Sequence, residues 1–153
     1  MAFGPHVLEI DPAAETERIV SMMRHTVGKV MRRRGGVMGI SGGVDSSVVL
    51  ALCARAFGPE RVVALMLPEK DSESDSERLA RKVAAHFGVE PVLEVITPVL
   101  DGFGCYQRRD EAIRRVFPEY DAAVGYKAKL VLPSNILEDD TLNVFSLTIV
   151  TPD

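Results

Sequence analysis

The chain has 153 residues, of which 46% are hydrophobic and 26% are charged, values typical of a globular domain with one sizeable core. Its net charge of -4 argues against broad binding to a phosphate backbone, so nucleic acid is not an expected partner. No apolar run is long enough to span a membrane, and residues 1–11 do not resemble a signal peptide, so a cytoplasmic location is expected.

The first elements are predicted from apolar spacing. Residues 1–14 contain Gly4, Pro5 and Pro12 and are predicted to form an N-terminal arm. Apolar residues then recur at helical spacing from residue 15 to the arginines at 32–34, which predicts a long amphipathic helix. The short apolar run 37–40 predicts a buried strand in the middle of a sheet, and the run 48–56 predicts a helix after it.

Strand and helix patterns continue to alternate. Residues 61–67 and 91–96 are predicted strands, and a helix is predicted over 77–87 between them. Short connections of this kind require parallel strands with right-handed crossovers. The predicted architecture is an open parallel α/β sheet with helices on both faces, which binds ligands at the carboxyl ends of its strands.

The C-terminal third has a different pattern. Residues 110–117 have helical spacing, and residues 129–132 and 144–151 predict an antiparallel strand pair. Three adjacent acids between these strands, residues 138–140, are interpreted as a solvated loop tip. Cys53 and Cys105 lack metal-ligand spacing and are interpreted as reduced structural thiols. Residues 15–153 are predicted to form a single domain.

One stretch, Ser-Gly-Gly-Val-Asp-Ser-Ser at 41–47, lies between the first strand and the following helix. Two glycines leave the backbone N–H groups accessible, and the helix that follows presents its partly positive N-terminal end. Such a turn suits a phosphate. A carboxylate beside a bound phosphate requires a cation between them, so Asp45 predicts a magnesium ion. The predicted phosphate-binding residues are Gly39, Ile40, Ser41, Gly42, Gly43, Val44, Asp45, Ser46 and Ser47.

Two other glycine-rich motifs are excluded by the residues present. A Walker loop ends in Gly-Lys-Ser/Thr, and residues 39–47 contain no lysine; the dinucleotide pattern G-x-G-x-x-G is also absent. The remaining alternative is an ordinary strand-to-helix turn whose Asp and Ser residues cap the helix.

The Ser-Gly-Gly-Val-Asp-Ser motif resembles the signature of the PP-loop ATP pyrophosphatases, which cleave ATP between the α- and β-phosphates. Leu-Met-Leu-Pro at 65–68, the acidic serine-containing loop after it and the run 76–89 are similar to the NAD synthetases. The GMP synthetase family has a similar loop, but its Asp-x-Gly-Leu-Leu-Arg segment is missing here. The resemblance covers about residues 19–96.

The resemblance implies a fold of the adenine nucleotide α-hydrolase type and an amide-forming ligase. ATP and Mg²⁺ would be bound, with Asp45 as the metal ligand and the backbone of Met66 and Leu67 beside the adenine. A carboxylate of deamido-NAD would be adenylated, and ammonia would then displace AMP. No residue is assigned as a nucleophile, and His6, His25 and His86 are interpreted as surface or structural residues. A homodimer is expected.

Residues 101–153 do not resemble the family, whose chains normally continue well past this length. Three hypotheses stay open at this point. They are an ATP-dependent, amide-forming ligase domain of the NAD synthetase type, truncated or complete; an ATP-binding module without turnover; and a related enzyme that adenylates another substrate in the GMP synthetase manner.

Overall fold

The structure, a computed structural model, describes residue 4 and residues 9–131 and 145–152. Its contacts divide the chain into two units, Met1–Thr97 and Pro98–Asp153. His6 and the acidic residues 138–140 lie outside the described residues. Within the described part, none of the helices has both the length and the apolar character needed to cross a bilayer. The prediction of one domain over residues 15–153 stays a prediction.

Helix α1 (Pro12–Met23) opens the first unit and is capped by Asp11. The Asp11 carboxylate accepts hydrogen bonds from the N–H groups of Ala13 and Ala14, at 2.9 and 3.1 Å, and proline suits the first helical position. The helix therefore begins inside the segment predicted as an arm. It continues as a π-helical segment, Arg24–Val30.

Three parallel strands follow in the order β1-β2-β3: β1 (Gly36–Gly39), β2 (Val62–Met66) and β3 (Val92–Leu93). Met38 pairs with Ala64, and Met66 pairs with Leu93. The crossovers contain α2 (Val44–Phe57), a 3₁₀ turn (Pro59–Arg61) and α3 (Ser74–His86). Together with the antiparallel pair described below, this sheet confirms the predicted α/β class.

The core lies on one face of this sheet, where α2 and α3 pack. Its buried cluster consists of Ile40, Leu50, Cys53, Val62, Ala64, Met66, Ala80, Ala84 and Val89. The prediction that the first strand lies in the middle of the sheet was wrong for the described residues, because β1 pairs only with β2. An evenly apolar run indicates burial of a strand but not the number of its neighbours.

Gly35 positions the start of β1. A Cβ atom at this residue would lie 1.9 Å from the carbonyl oxygen of Arg61, just before β2. Only backbone without a side chain fits this approach, so the chain enters β1 in direct contact with the beginning of its neighbour.

Helix α4 (Thr97–Gly102) leads into the second unit, which contains α5 (Cys105–Arg114) and a 3₁₀ turn (Ala122–Val124). Strands β4 (Lys127–Val131) and β5 (Ser146–Val150) pair antiparallel, as predicted. Helix α5 begins earlier than the predicted 110–117, and α4 was not predicted. The buried residues of this unit are Tyr106, Ile113 and Tyr120.

Candidate nucleotide-binding site

The turn after β1 is shaped by packing against α3. The N–H of Ile40 still donates to the carbonyl oxygen of Leu65, at 2.8 Å, and Ile40 is buried. Gly42 then adopts a φ of +80°, and a Cβ there would lie 2.5 Å from Cβ of Leu79 and 2.8 Å from the N atom of Ala80. This position therefore requires glycine both for its backbone conformation and for its contact.

Serine hydroxyls organise the first turn of α2 after the N-cap residue Gly43. The hydroxyls of Ser46 and Ser47 donate to the carbonyl oxygen of Gly43, at 3.1 and 2.7 Å. Ser46 Oγ also accepts from the N–H of Ser41, at 3.3 Å. These bonds hold the turn closed and leave the beginning of the helix open toward solvent.

Four backbone donors of this turn have no protein acceptor among the described residues. The N–H groups of Gly42, Val44, Asp45 and Ser46 make no hydrogen bond there, whereas the N–H of Gly43 reaches Ser41 Oγ at 3.4 Å. Donors of this kind at the N-terminus of a helix of 14 residues form an anion-binding arrangement. The turn can thus accept a phosphate group.

Asp45 is exposed on the first turn of α2. Its carboxylate has no ion-pair partner in the part of the chain that the structure describes. Mg²⁺ is commonly bound by one or two carboxylates together with substrate phosphates. A single open carboxylate beside an anion-binding turn fits that mode, and a phosphate would be repelled there without a cation.

A cavity of about 380 Å³ lies next to the turn, at the carboxyl ends of β1 and β2. Its volume is in the range of small-molecule sites. The lining combines the strand ends with the loop and helix after β2: Gly39, Ile40, Ser41, Ser46, Leu65, Met66, Leu67, Pro68, Glu69, Ser72, Glu73, Ser76, Glu77 and Ala80.

Leu67 contributes two unpaired backbone groups at this cavity. The last described bond between the two strand ends runs from the N–H of Ile40 to the oxygen of Leu65, and alternate strand residues direct their backbone groups to the same side. The chain turns away after Ile40, so the N–H and C=O of Leu67 find no partner among the described residues.

The structure brings some of the predicted site residues to the cavity and leaves others outside its lining. Six of them line it: Gly39, Ile40, Ser41, Ser46, Met66 and Leu67. The other five belong to the adjoining turn or the first turn of α2: Gly42, Gly43, Val44, Asp45 and Ser47. Their roles in binding stay predictions.

Three carboxylates were not predicted as site residues, although Glu69, Glu73 and Glu77 all line the cavity. The loop that carries the first of them is closed by its own hydrogen bonds, from the N–H of Glu69 to Ser72 Oγ and from the N–H of Asp71 to Glu69 Oε1, both 3.0 Å. For Glu69 the available signal was its place shortly after the strand beside β1, because ligands of open α/β sheets bind at adjacent strand ends.

Two acidic groups whose pKa values depart from the ordinary ones, the Glu15 carboxyl and the Cys53 thiol, lie outside this cavity. A hydrogen bond from Arg18 lowers the pKa of the exposed Glu15 carboxyl, and burial raises the pKa of the Cys53 thiol. Neither side chain lines the cavity. Both are structural features of the first unit.

A parallel sheet, a glycine turn with open N–H groups and a helix that starts at the turn define an α/β protein with a turn of the phosphate-binding type. The sequence model described as NAD synthase matches residues 15–116. The chain belongs to the NAD synthase family, which confirms the resemblance seen in its sequence.

Curated relatives extend this match. The chain is 48% identical over 147 residues to the NH₃-dependent NAD⁺ synthetase of Mesorhizobium japonicum, covering 96% of this chain and 45% of the relative. It is 47% identical over 153 residues to that of Rhizobium meliloti, covering 100% of this chain and 45% of the relative. The chain thus spans less than half the length of these relatives.

A solved structure is also similar. The NH₃-dependent NAD synthetase from Campylobacter jejuni, in complex with the nitrate ion, superposes with a TM-score of 0.56 and 31% identity, over 61% of this chain and 40% of that one. This similarity supports the same fold.

Proposed function

We propose that this chain binds magnesium–ATP and forms the adenylating part of an NH₃-dependent NAD synthetase. The observation that carries the proposal is the set of four open N–H groups at Gly42, Val44, Asp45 and Ser46, beside the cavity of about 380 Å³. Family membership supports the same activity.

The proposed reaction has two steps. A carboxylate oxygen of deamido-NAD attacks the α-phosphorus of ATP, the bond from that phosphorus to the bridging oxygen breaks, and pyrophosphate leaves. Ammonia then attacks the acyl carbon, the bond to AMP breaks, and the surplus proton passes to solvent. The chain contributes by positioning ATP and by stabilising the leaving pyrophosphate through the donors of the turn.

Asp45 would hold the metal ion. When bound, Mg²⁺ would neutralise charge on the pyrophosphate. The hydroxyls of Ser41, Ser46 and Ser47 lie near the turn and would become donors to a phosphate on rotating away from the bonds they make with one another and with the carbonyl oxygen of Gly43. The acidic lining at Glu73 and Glu77 suits hydroxyl and amino donors better than phosphates, so the ribose end of the nucleotide is placed toward α3.

The backbone of Leu67 would form hydrogen bonds with the adenine and distinguish it from guanine. Its N–H can donate to N1 of adenine, and its C=O can accept from the 6-amino group. Guanine presents a donor at position 1 and an acceptor at position 6, which is the reverse arrangement. ATP should therefore bind at least roughly tenfold more tightly than GTP, measured by calorimetry with both nucleotides in magnesium; equal affinities would contradict this role of Leu67.

Asp45→Asn tests the metal site. We expect magnesium–ATP to bind at least roughly tenfold more weakly, because an amide cannot supply the anionic ligand, and we expect the difference to vanish in EDTA. Asp75→Asn is the matched control, since Asp75 is the second residue of α3 as Asp45 is of α2, and Asp75 does not line the cavity. Unchanged affinity of the Asp45 variant would refute the metal assignment.

Turnover needs a separate assay. The chain is incubated with ATP, Mg²⁺, ammonium and deamido-NAD, and AMP, pyrophosphate and NAD are quantified. ATP binding without AMP would favour the alternative of a binding module. Replacing deamido-NAD by a nucleotide base acceptor tests the GMP synthetase alternative. The homodimer and the cytoplasmic location stay predictions.

A further inference from the structure

A basic segment lies between the first helix and β1. It contains Lys29 and the three consecutive arginines at 32–34, all of them exposed. None of these four side chains has an acidic partner among the residues that the structure describes. We call the four residues the basic cluster. Because the chain has a net charge of -4, the cluster is a local concentration of positive charge and not part of a generally basic surface.

The backbone of this segment departs from regular geometry in two ways. The helix is π-helical over Arg24–Val30, a rare form that occurs frequently at functional sites. Arg32 then has a φ of +53°, and in the described part of the chain it is the one residue other than glycine with a positive φ. This conformation is disfavoured for a residue with a Cβ atom. Strain that is retained at an exposed arginine indicates a function for that position.

Backbone acceptors hold the segment in place. The Arg24 guanidinium donates to two carbonyl oxygens at the end of α2, at 2.9 and 2.7 Å. The N–H of Arg33 donates to the carbonyl oxygen of Val27, at 2.8 Å. Neither contact uses a charged group of the basic cluster. The cluster is therefore presented on a fixed backbone, which lowers the entropy cost of ordering it in a complex.

Two apolar side chains accompany the charges, since Val30 and Met31 are 67% and 58% exposed. Met and Arg are enriched at protein interfaces, and a guanidinium group can bind a carboxylate through two parallel hydrogen bonds. We propose that the basic cluster, together with Val30 and Met31, docks a separate acidic polypeptide. Carboxylates of this partner pair with the arginines, and its apolar side chains cover Val30 and Met31.

Nucleic acid and a membrane surface fit the basic cluster less well. Residues 24–36 contain no Phe, Tyr or Trp on which a base could stack. Binding in a membrane interface needs a helix with a broad apolar side, whereas Val30 and Met31 are the exposed large apolar side chains of this segment. A polypeptide with both acidic and apolar side chains matches the two kinds of group present.

The basic cluster and the candidate nucleotide site lie at opposite ends of the strands. Gly35, directly after the cluster, contacts the carbonyl oxygen of Arg61 just before β2, whereas the cavity lies where β1 and β2 end. Docking at the cluster should therefore leave magnesium–ATP binding unchanged. The proposal does not depend on the proposed function.

A copolymer of glutamate and leucine is a suitable probe, because it carries carboxylates and apolar side chains. Its binding to the 153-residue chain is measured by fluorescence anisotropy of the labelled copolymer, and affinity should fall as salt is added. We expect the double change Arg33→Gln and Arg34→Gln to weaken binding by roughly tenfold, because two ion pairs are lost. Absence of binding by the unchanged chain would overturn the proposal.

The matched control is the double change Lys82→Gln and Arg115→Gln. It removes the same charge from exposed positions on α3 and at the end of α5. Affinity for the copolymer should stay within about twofold, because these charges are distant from the basic cluster and screened. Equal weakening by the two double changes would mean that net charge alone attracts the copolymer, which would overturn the proposal.

Two further probes separate the other polyanions. Polyuridylate represents nucleic acid, and vesicles of phosphatidylglycerol represent an anionic membrane. Both should bind more weakly than the copolymer at the same salt concentration, and tighter binding of either one would overturn the assignment to a polypeptide. Self-association of the chain that disappears in the Arg33 and Arg34 variant would overturn it as well, because a second copy would then occupy the surface.

Arg32→Gly tests the strained position. Glycine adopts a positive φ without strain, so the Tm should rise, while affinity for the copolymer should fall because one charge is lost. A higher Tm with unchanged affinity would show that Arg32 takes no part in docking and would overturn the proposal. Magnesium–ATP affinity, measured on every variant, should not change, so failure of the proposed function can be told apart from failure of docking.

Discussion

The two units of the chain differ in how they bury apolar side chains. The first unit has a continuous cluster of buried residues that links both crossover helices to β1 and β2. In the second unit Tyr106, Ile113 and Tyr120 are buried, while Leu130 on the hairpin is 73% exposed. The candidate site lies entirely in the first unit.

The difference shows where a nucleotide can be positioned accurately. A turn keeps its donors in place only if the strand before it and the helix after it are packed, as β1 and α2 are through Ile40 and Leu50. The hairpin of the second unit lies beyond residues 15–116 that match the family, yet the Rhizobium meliloti relative matches across the whole chain. The prediction that residues 101–153 do not resemble the family was therefore wrong, because their sequence is part of this match.

Leu50→Ala should have the largest effect, because Leu50 is fully buried in the first unit. We expect the free energy of unfolding to fall by about 2–5 kcal/mol. Leu130→Ala, at an exposed position of the hairpin, should change it by less than about 0.5 kcal/mol.

Urea titrations can follow the two units separately. The chain has no tryptophan, and its three tyrosines, Tyr106, Tyr120 and Tyr126, all belong to the second unit. Tyrosine fluorescence therefore follows that unit, whereas far-UV circular dichroism follows the whole chain. If Leu50→Ala shifts both transitions equally, the two units unfold together and the contrast between them fails.

Gly42→Ala should have the second-largest effect on stability. The new methyl group would overlap Leu79 and the N atom of Ala80, at a φ of +80°, so we expect a loss of about 2–3 kcal/mol in stability together with loss of magnesium–ATP binding. Gly28→Ala is the control, because its added Cβ meets nothing within 4 Å. Calorimetry and thermal unfolding measure both effects, and normal ATP binding by the Gly42 variant would show that the turn is more adaptable than its packing suggests.

Arg24→Met should have a smaller effect. The Arg24 guanidinium donates to the carbonyl oxygens of Ala56 and Arg55, at 2.9 and 2.7 Å, and so caps the C-terminal end of α2. Its loss should cost about 1–2 kcal/mol, seen as a lower urea midpoint by circular dichroism. A change seen only in tyrosine fluorescence would contradict this prediction, because the tyrosines belong to the second unit and α2 belongs to the first.

The smallest of the predicted effects concerns the two cysteines, whose alkylation rates should differ. Burial raises the pKa of the Cys53 thiol, so Cys53 should react with iodoacetamide only after unfolding, whereas the half-buried Cys105 should react in the native chain. As pH rises through the ordinary thiol range, the unfolded state ionises first and stability falls. Cys53→Ala should remove this pH dependence, and mass spectrometry of labelled peptides identifies the site.

Much of the fold was predictable because its signals are local. Apolar runs and turn residues predicted β1, β2 and the helices between them, and the glycines and Asp45 predicted the turn. The edge position of β1 was not predictable, because residues 37–40 do not specify their neighbours. The helix start at Pro12 was missed because a proline near the N-terminus was interpreted only as a loop signal, although Asp11 before it is a typical cap.

The acidic side of the cavity was missed for a different reason. Glu73 is the N-cap residue of α3 and Glu77 lies one helical turn later, and surface acids with that spacing are usually solvated. They reach the cavity because Gly42 lets the turn lie against α3 at Leu79. This contact joins segments about 40 residues apart, and no local pattern records it.

The close approach of Gly35 to the Arg61 carbonyl should restrict which mutations this chain tolerates, although Gly35 lies at the end of β1 that is away from the candidate site. A slip of one residue in pairing would exchange the two faces of the strand, and the N–H of Ile40 would no longer donate to the carbonyl oxygen of Leu65. Since Gly35 meets the Arg61 carbonyl without room for a methyl group, a mutation at this position should displace β1 and with it the turn of the candidate site. Neutral drift should therefore be as restricted at Gly35 as at the turn itself.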